Sequence, residues 1–128
     1  MRKNIEVDLG QQVLFAYDND KKAYEFDCVS GDKEHPTNVG TFSIFRKERK
    51  YRSKKYNVQM DYAMFFTTDG KAIHQGYAVG PLSYIKFVGI DTIGSHGCVR
   101  LAESDARTLF DWAPLHTKVK IIASAKAT

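Results

Sequence analysis

Short runs of β-branched and aromatic residues, separated by turn-forming residues, constrain the fold of this chain more than any other feature. Turns at residues 18–20 (DND) and 68–70 (TDG) separate neighbouring runs, and the first predicts a hairpin. The runs have strand length and partly alternate between apolar and polar residues. They read IEVDL, QVLFAYD, AYEFDCVS, MDYAMFF, KAIHQGY and KVKIIAS. The pattern predicts a mainly β domain.

A single segment has helical rather than strand periodicity. It begins at Glu103 or Ser104 and is stopped by Pro114, which cannot continue a helix. Its apolar residues recur at helical spacing, at Ala102, Ala106, Leu109, Phe110 and Ala113. We therefore predict a β-sandwich or β-rich mixed fold with one short α-helix. The 128 residues contain no repeat and no linker, so a single domain over residues 1–128 is expected.

The sequence encodes no recognisable membrane span or leader. No apolar stretch approaches the length of about 18 residues that a transmembrane helix requires. Arg2 and Lys3 could begin a signal peptide, but Glu6 and Asp8 interrupt the apolar stretch that would have to follow. We expect a cytoplasmic protein if Met1 is the native start. If a leader was removed, a periplasmic or cell-wall protein is expected, and in neither case is a membrane partner expected.

Positive charge is concentrated in one segment, RKERKYRSKK (residues 46–55), which we call the basic run. It has seven basic residues and one acidic residue, whereas the whole chain has a formal net charge of only +4. Such a run is typical of a solvated hairpin, but it can also attract an acidic substrate or nucleic acid. No nucleic-acid-binding fold surrounds it, so no nucleic-acid partner is expected.

The motif GSHGCVRL (residues 94–101) has a concentration of reactive side chains. Cys98 follows Ser95, His96 and Gly97 directly, and Arg100 stands two positions later. A thiol in this position has three interpretations: a buried or turn residue, a metal ligand, or a nucleophile. A zinc site built from His74, His96 and Cys98 lacks a clear fourth ligand. The residues alone leave these alternatives open.

The nucleophile interpretation requires a base and a site for a developing oxyanion. Reactivity needs the thiolate, which an adjacent base can generate. His96 lies two positions before Cys98, and His74 ends a strand-like run before a long loop that leads back to the motif. The N–H groups of Gly97 and Cys98 are candidates for an oxyanion hole, and Arg100 for fixing a substrate carboxylate or bracing the loop.

The chain resembles the L,D-transpeptidase (YkuD-type) catalytic domain. The resemblance is carried by IHxG, a loop, then SHGCVRL followed by a short helix, and it extends over nearly the whole chain. Further matching segments are IEVDLGQQVLFAY, CVSGDKEHPTNVGTFSI, MDYAMFF, LAESDARTLFDWA and KVKII. The resemblance implies a β-sandwich with one short helix after the catalytic cysteine segment. It also implies a reaction that needs no metal and no other cofactor.

The resemblance assigns roles to individual residues. Cys98 matches the nucleophile, and His74 matches the histidine that takes the thiol proton. The backbone carbonyl after that histidine orients the imidazole, and Gln75 supplies it here. Ser95, His96 and Gly97 match the lead-in that shapes the pocket and the oxyanion hole. For His96 both a catalytic part and a structural hydrogen bond remain open, and Arg100 matches a position that holds arginine or asparagine in family members.

Two segments depart from the family pattern. Residues 78–93 make the loop between His74 and Cys98 several residues longer than in many members, which affects the lid and the substrate contacts. The usual Thr-Pro of the early loop appears here as PTN at residues 36–38, so no role is transferred to it.

Other conspicuous residues receive structural interpretations. His35 and His116 are expected in solvent, and Cys28 is expected to be a buried strand residue that forms no disulfide with Cys98. Tyr62 is expected in the core but is also a candidate to line the substrate cleft. Phe65, Phe66 and Trp112 are expected in the core.

The resemblance implies a thioester on Cys98, formed with the L-centre carbonyl of a peptidoglycan tetrapeptide or muropeptide. Water as acceptor would make the protein an L,D-carboxypeptidase that trims tetrapeptide to tripeptide, and this is favoured if Met1 is the true start. An amine acceptor would make it a cross-linking L,D-transpeptidase. A non-enzymatic peptidoglycan-binding module is a third hypothesis. We also expect sensitivity to carbapenems and a monomeric state.

Overall fold

The computed structural model describes residues 2–31, 37–54, 58–76 and 98–123. These residues form eleven strands and one helix. The strands are β1 (Lys3–Asp8), β2 (Val13–Asp18), β3 (Lys21–Val29), β4 (Gly40–Ser43), β5 (Arg46–Glu48), β6 (Arg52–Ser53), β7 (Val58–Gln59), β8 (Ala63–Phe65), β9 (Ala72–Gln75), β10 (Val99–Leu101) and β11 (Lys118–Ile122). The helix, α1, spans Glu103–Trp112. The mainly β prediction and the placement of the helix are confirmed.

Nine of the strands form one hydrogen-bonded sheet in the order β4-β11-β1-β2-β3-β10-β9-β8-β5, and β6 and β7 form a separate small hairpin. The predicted turn at residues 18–20 joins β2 to β3, and Asn19 and Asp20 both have positive φ, as a tight two-residue hairpin requires. The predicted turn at residues 68–70 joins β8 to β9, also antiparallel. The predicted hairpin and the second predicted turn are both confirmed.

The main core lies between one face of the sheet and α1. Val119 and Ile121 of β11 are buried while Lys118 and Lys120 between them are exposed, which is the alternation of a half-buried strand. α1 contributes Ala106, Leu109 and Phe110, and both halves of the sheet contribute to the same cluster, including Ile5, Val7, Leu14, Ile73, Val99 and Leu101. Burying this one face holds the strands that position the site.

Lys47 of the basic run braces the C-terminal end of α1. Its ammonium donates to the backbone oxygens of Phe110 (2.5 Å) and Ala113 (2.7 Å). A cation near the carbonyl end of a helix is favourable because the last carbonyls have no partner within the helix. Arg49 forms an exposed ion pair with Asp111 on the same helix end (3.4 Å). Part of the basic run is therefore structural.

The side chains that were assigned structural interpretations lie largely as expected. Cys28 is fully buried in β3, Phe65 and Phe66 are buried, and His116 is exposed. Cys28 and Cys98 are both thiols. His35 lies outside the described residues. Within the described part of the chain, no helix is long and apolar enough to cross a membrane.

Candidate active site

Cys98 lies directly before β10 and on the face of the sheet opposite α1. The register of the parallel pair β9–β10 sets Val99 beside Ile73 and Arg100 beside His74, so Cys98 continues the line beside Ala72. Side chains alternate between the two faces of a strand. Val99 and Ile73 point into the main core, so Cys98, Arg100 and His74 share the other face.

This arrangement makes His74 a diagonal neighbour of Cys98. One strand spacing combined with two residues along the strand corresponds to a Cα–Cα separation of about 8 Å. Long side chains on one face interact across such a diagonal. The expectation that the loop after His74 returns the chain to the cysteine is met, with the two segments as adjacent strands.

The Cys98 sulfur is buried, with 3% of the residue exposed. It belongs to a small cluster on this face, which we call the cysteine cluster: Met60, Ala63, Phe65, Ala72 and Cys98, with Tyr51 packed against it. The backbone N–H of Ala72 donates to Sγ over 3.4 Å. This N–H fixes the position of the sulfur and favours its negative form.

Burial raises the pKa of the Cys98 thiol to about 11, against the lowering effects of the Ala72 N–H and the Arg100 charge. The thiol is therefore protonated near neutral pH in this closed arrangement. A nucleophile of this kind needs a base that removes its proton as it attacks.

The His74 imidazole is oriented for that role. Nδ1 lies 2.7 Å from the carbonyl oxygen of Gln75, the contact that the family resemblance implies. A carbonyl only accepts, so Nδ1 donates its hydrogen there, and the neutral ring keeps a lone pair on Nε2. Nε2 is buried and has no hydrogen-bond partner among the described residues. The one open position on the ring is the one that a general base uses.

Burial also lowers the pKa of His74 to about 4, and the Arg100 charge lowers it further, against the raising effects of the Gln75 carbonyl and of Asp61. Near neutral pH the imidazole is therefore uncharged. A neutral imidazole can accept a proton from a neutral thiol, whereas an imidazolium cannot. The described geometry favours general-base activation over a permanent thiolate–imidazolium pair.

Arg100 shares this face and is 95% buried, with 5% exposed. Its aliphatic stem packs over Gly76, where an added Cβ would lie 2.6 Å from the Arg100 Cβ. Gly76 also donates its N–H to the Leu101 oxygen over 2.9 Å, which extends the pairing of the two strands. Glycine is therefore required at position 76, because the Arg100 side chain lies too close to leave room for a Cβ. Arg100 braces the end of the strand pair, and its charge acts on both Cys98 and His74.

For several of the predicted site residues, the structure does not test the predicted role. Ser95, His96, Gly97 and the loop over residues 78–93 lie outside the described residues, so their roles stay predictions. The Tyr62 ring packs edge-on against Phe110 of α1 (centroids 5.8 Å apart) and lies below Arg49. It is partly buried and packs against the main core, not against the cysteine cluster. Its core placement is confirmed, and its part in substrate binding stays a prediction.

The turn that precedes β9 was predicted from the sequence, but its charges were given no role at the site. Asp69 and Lys71 form an ion pair of 2.9 Å, and both charges act on the pKa of Cys98. Thr67 and Lys71 close the turn, the Lys71 N–H donating to the Thr67 hydroxyl over 2.9 Å. The only signal for this role is the position of TTDGK (residues 67–71) directly before the strand that holds His74. Among the described residues, no group of three or more His, Cys, Asp or Glu side chains forms a metal site.

Comparison with known proteins supplies the family. The profile of the YkuD family, described as the L,D-transpeptidase catalytic domain, matches residues 2–121. A crystal structure of an L,D-transpeptidase from Stackebrandtia nassauensis is 28% identical, with a TM-score of 0.82, covering 100% of this chain and 58% of that one. An Enterococcus faecium L,D-transpeptidase, solved in a mutant form, is 29% identical, with a TM-score of 0.81 and coverages of 95% and 50%.

A third similar structure is the Ldtfm–avibactam carbamoyl enzyme, 30% identical, with a TM-score of 0.77 and coverages of 97% and 50%. This chain thus spans between 50% and 58% of the length of these solved proteins. No curated protein sequence matches the chain.

Proposed function

The chain belongs to the L,D-transpeptidase catalytic domain family, and on this premise we propose that Cys98 catalyses acyl transfer at the L–D peptide bond of peptidoglycan tetrapeptide stems. The observation that carries the proposal is the state of His74. Its Nδ1–H is committed to the Gln75 oxygen, and its Nε2 is open on the sheet face that also holds Cys98. This is the arrangement of a nucleophile, a base and an orienting group.

The reaction follows from these groups. His74 Nε2 accepts the thiol proton as Cys98 Sγ forms a bond to the carbonyl carbon of the L-centre. The resulting oxyanion is held by N–H groups, for which Gly97 and Cys98 are the predicted donors. The intermediate collapses when the C–N bond breaks, and His74 returns the proton to the leaving amine of the D-residue. A thioester remains on Cys98.

The acyl acceptor then decides the product. An amine of a second stem, deprotonated by His74, yields a cross-link and a free thiol. Water in the same position yields a tripeptide. Two of the similar solved proteins are named L,D-transpeptidases, which supports the amine acceptor. The L,D-carboxypeptidase expected from the sequence remains the second candidate, since the first half-reaction is identical.

One experiment tests the shared step. The protein is incubated with a carbapenem, imipenem, and its mass is measured by intact-protein mass spectrometry. We expect a stoichiometric covalent adduct that is absent from Cys98→Ser and retained in Cys28→Ser, the matched control at the other buried thiol. An unmodified protein with a folded circular-dichroism spectrum would refute the acyl-enzyme and favour a peptidoglycan-binding module.

A second experiment separates the two acceptors. A disaccharide tetrapeptide is supplied with and without an amine acceptor, and the products are resolved by liquid chromatography. Dimer as the main product identifies a transpeptidase, and tripeptide as the main product identifies a carboxypeptidase. No product with either acceptor, despite a carbapenem adduct, would refute the proposed substrate.

A further inference from the structure

The cations of the basic run divide between the two faces of the sheet. β5 pairs with β8 so that Arg46 lies beside Phe65 and Lys47 beside Met64. Met64 belongs to the main core and Phe65 to the cysteine cluster. Lys47 therefore faces α1, whose end it braces, while Arg46 faces the side that holds Cys98.

Arg46 is connected to the nucleophile by a straight line of register partners. Arg46 lies beside Phe65, Phe65 lies beside Ala72, and the Ala72 N–H donates to the Cys98 sulfur. The Arg46 guanidinium lies over the Phe65 ring, 5.1 Å from its centroid. Three strand spacings separate the Arg46 and Cys98 backbones, a distance of about 14 Å.

A groove of about 570 Å³ opens on this side. Its apolar floor is shared with the cysteine cluster through Tyr51, Met60 and Phe65. Its walls come from the basic run and from the turn before β9, and we call it the basic groove.

The charges on the groove are unbalanced. Its lining holds three cations, Arg46, Arg52 and Lys54, and one anion, Asp69. Asp69 is paired with Lys71 (2.9 Å) and Arg46 with Glu48 (3.0 Å), so with these two partners counted four cations face two anions, and the net charge is positive. A concave site with an excess of one sign attracts ligands of the other sign. An apolar floor with cationic walls fits an extended chain that carries an anionic group.

We propose that the basic groove binds an anionic group of the substrate, a stem carboxylate or a phosphate, at about 14 Å from the Cys98 backbone. Four extended residues span about 13–14 Å, so the anion and the scissile carbonyl belong to one stem-length molecule. The inference rests on the proposed function for its substrate class. It adds a specificity determinant that lies outside the Cys98–His74 pair.

Binding to catalytically silent protein tests the groove independently of turnover. Cys98→Ala protein is titrated by isothermal calorimetry with a disaccharide tetrapeptide at low and at moderate salt. Lys54→Glu and Arg52→Glu are each expected to weaken binding about tenfold at low salt, because each reverses one charge beside the bound anion. The loss should shrink as salt increases.

Lys50→Glu is the matched control, since Lys50 is an exposed cation of the same run that does not line the groove. It should weaken binding by less than about twofold. An equal loss of affinity in Lys50→Glu and Lys54→Glu would refute binding in the groove and indicate a diffuse effect of charge. Unchanged affinity in both groove variants would overturn it outright.

Two further ligands distinguish the source of the anion. If a stem carboxylate is bound, the same muropeptide with all of its carboxylates amidated should bind all variants alike. If a phosphate is bound, inorganic pyrophosphate should compete with the muropeptide in the parent protein and lose affinity in Lys54→Glu. If neither of these two responses is observed, the proposal is overturned. The imipenem adduct should form in Lys54→Glu protein that retains Cys98, so failure of the groove is distinguishable from failure of the acyl-enzyme.

Discussion

The protonation state of the Cys98–His74 pair is the prediction that most directly tests the site. Burial sets the pKa of the Cys98 thiol to about 11 and that of the His74 imidazole to about 4. Near pH 7 about one Cys98 in 10⁴ is then a thiolate, and about one His74 in 10³ is protonated. Compared with a thiol at its ordinary pKa of 9.0, the thiolate fraction is lower by about 100-fold.

The thiolate absorbs in the far ultraviolet, so its formation can be followed directly. The absorbance of Cys98→Ser is subtracted from that of the parent protein at each pH, which removes the tyrosines and Cys28. We expect no thiolate step between about pH 5 and pH 9, and a rise only above about pH 9. A step of one thiolate below about pH 8, lost in His74→Ala, would show an ion pair and refute the neutral-pair reasoning.

The same reasoning predicts the activity profile. His74 must be unprotonated to accept the thiol proton, and its lowered pKa keeps it so at any pH above about 4. The rate of carbapenem acylation should therefore be level from about pH 5 to about pH 8. His74→Ala should lower that rate by about 10²–10⁴-fold while leaving the fold intact. A rate that follows an inflection near the ordinary histidine pKa would contradict the buried, neutral imidazole.

Two further predictions concern the frame of the site. Gly76→Ala should lower the free energy of unfolding by about 1–3 kcal/mol, measured in urea, and should slow acylation, because the new Cβ would meet the Arg100 stem at 2.6 Å. A Gly76→Ala protein as stable as the parent would show that the strands can separate at this point. Lys47→Met should lower the free energy of unfolding by about 1–3 kcal/mol, since it removes the donor to the Phe110 oxygen, while the acylation rate per folded molecule stays unchanged. Slower acylation in a variant of unchanged stability would instead assign Lys47 to the site.

Local sequence patterns determined the elements and the identity of the reactive residues. Six of the strands (β1, β2, β3, β8, β9 and β11), the two turns and α1 follow from short-range alternation, turn chemistry and helical spacing, which act within a few residues. Cys98, His74 and the Gln75 carbonyl were identified from the motif and the family that it resembles. The geometry places the carbonyl against Nδ1, while the roles assigned to Ser95, His96 and Gly97 remain predictions.

Only the tertiary structure decided which side chains share a face and which charges face the nucleophile. The basic run reads as one patch in the sequence, yet strand pairing sends Lys47 to the helix and Arg46 toward Cys98. The register of β9 against β10 brings the Ala72 N–H to the Cys98 sulfur, although the two residues are 26 positions apart in the chain. The charges of Asp69 and Lys71, in the turn just before β9, also act on this sulfur. Register and burial arise from long-range packing, and burial in turn sets the pKa of Cys98 and His74, so neither is encoded in any local pattern of the sequence.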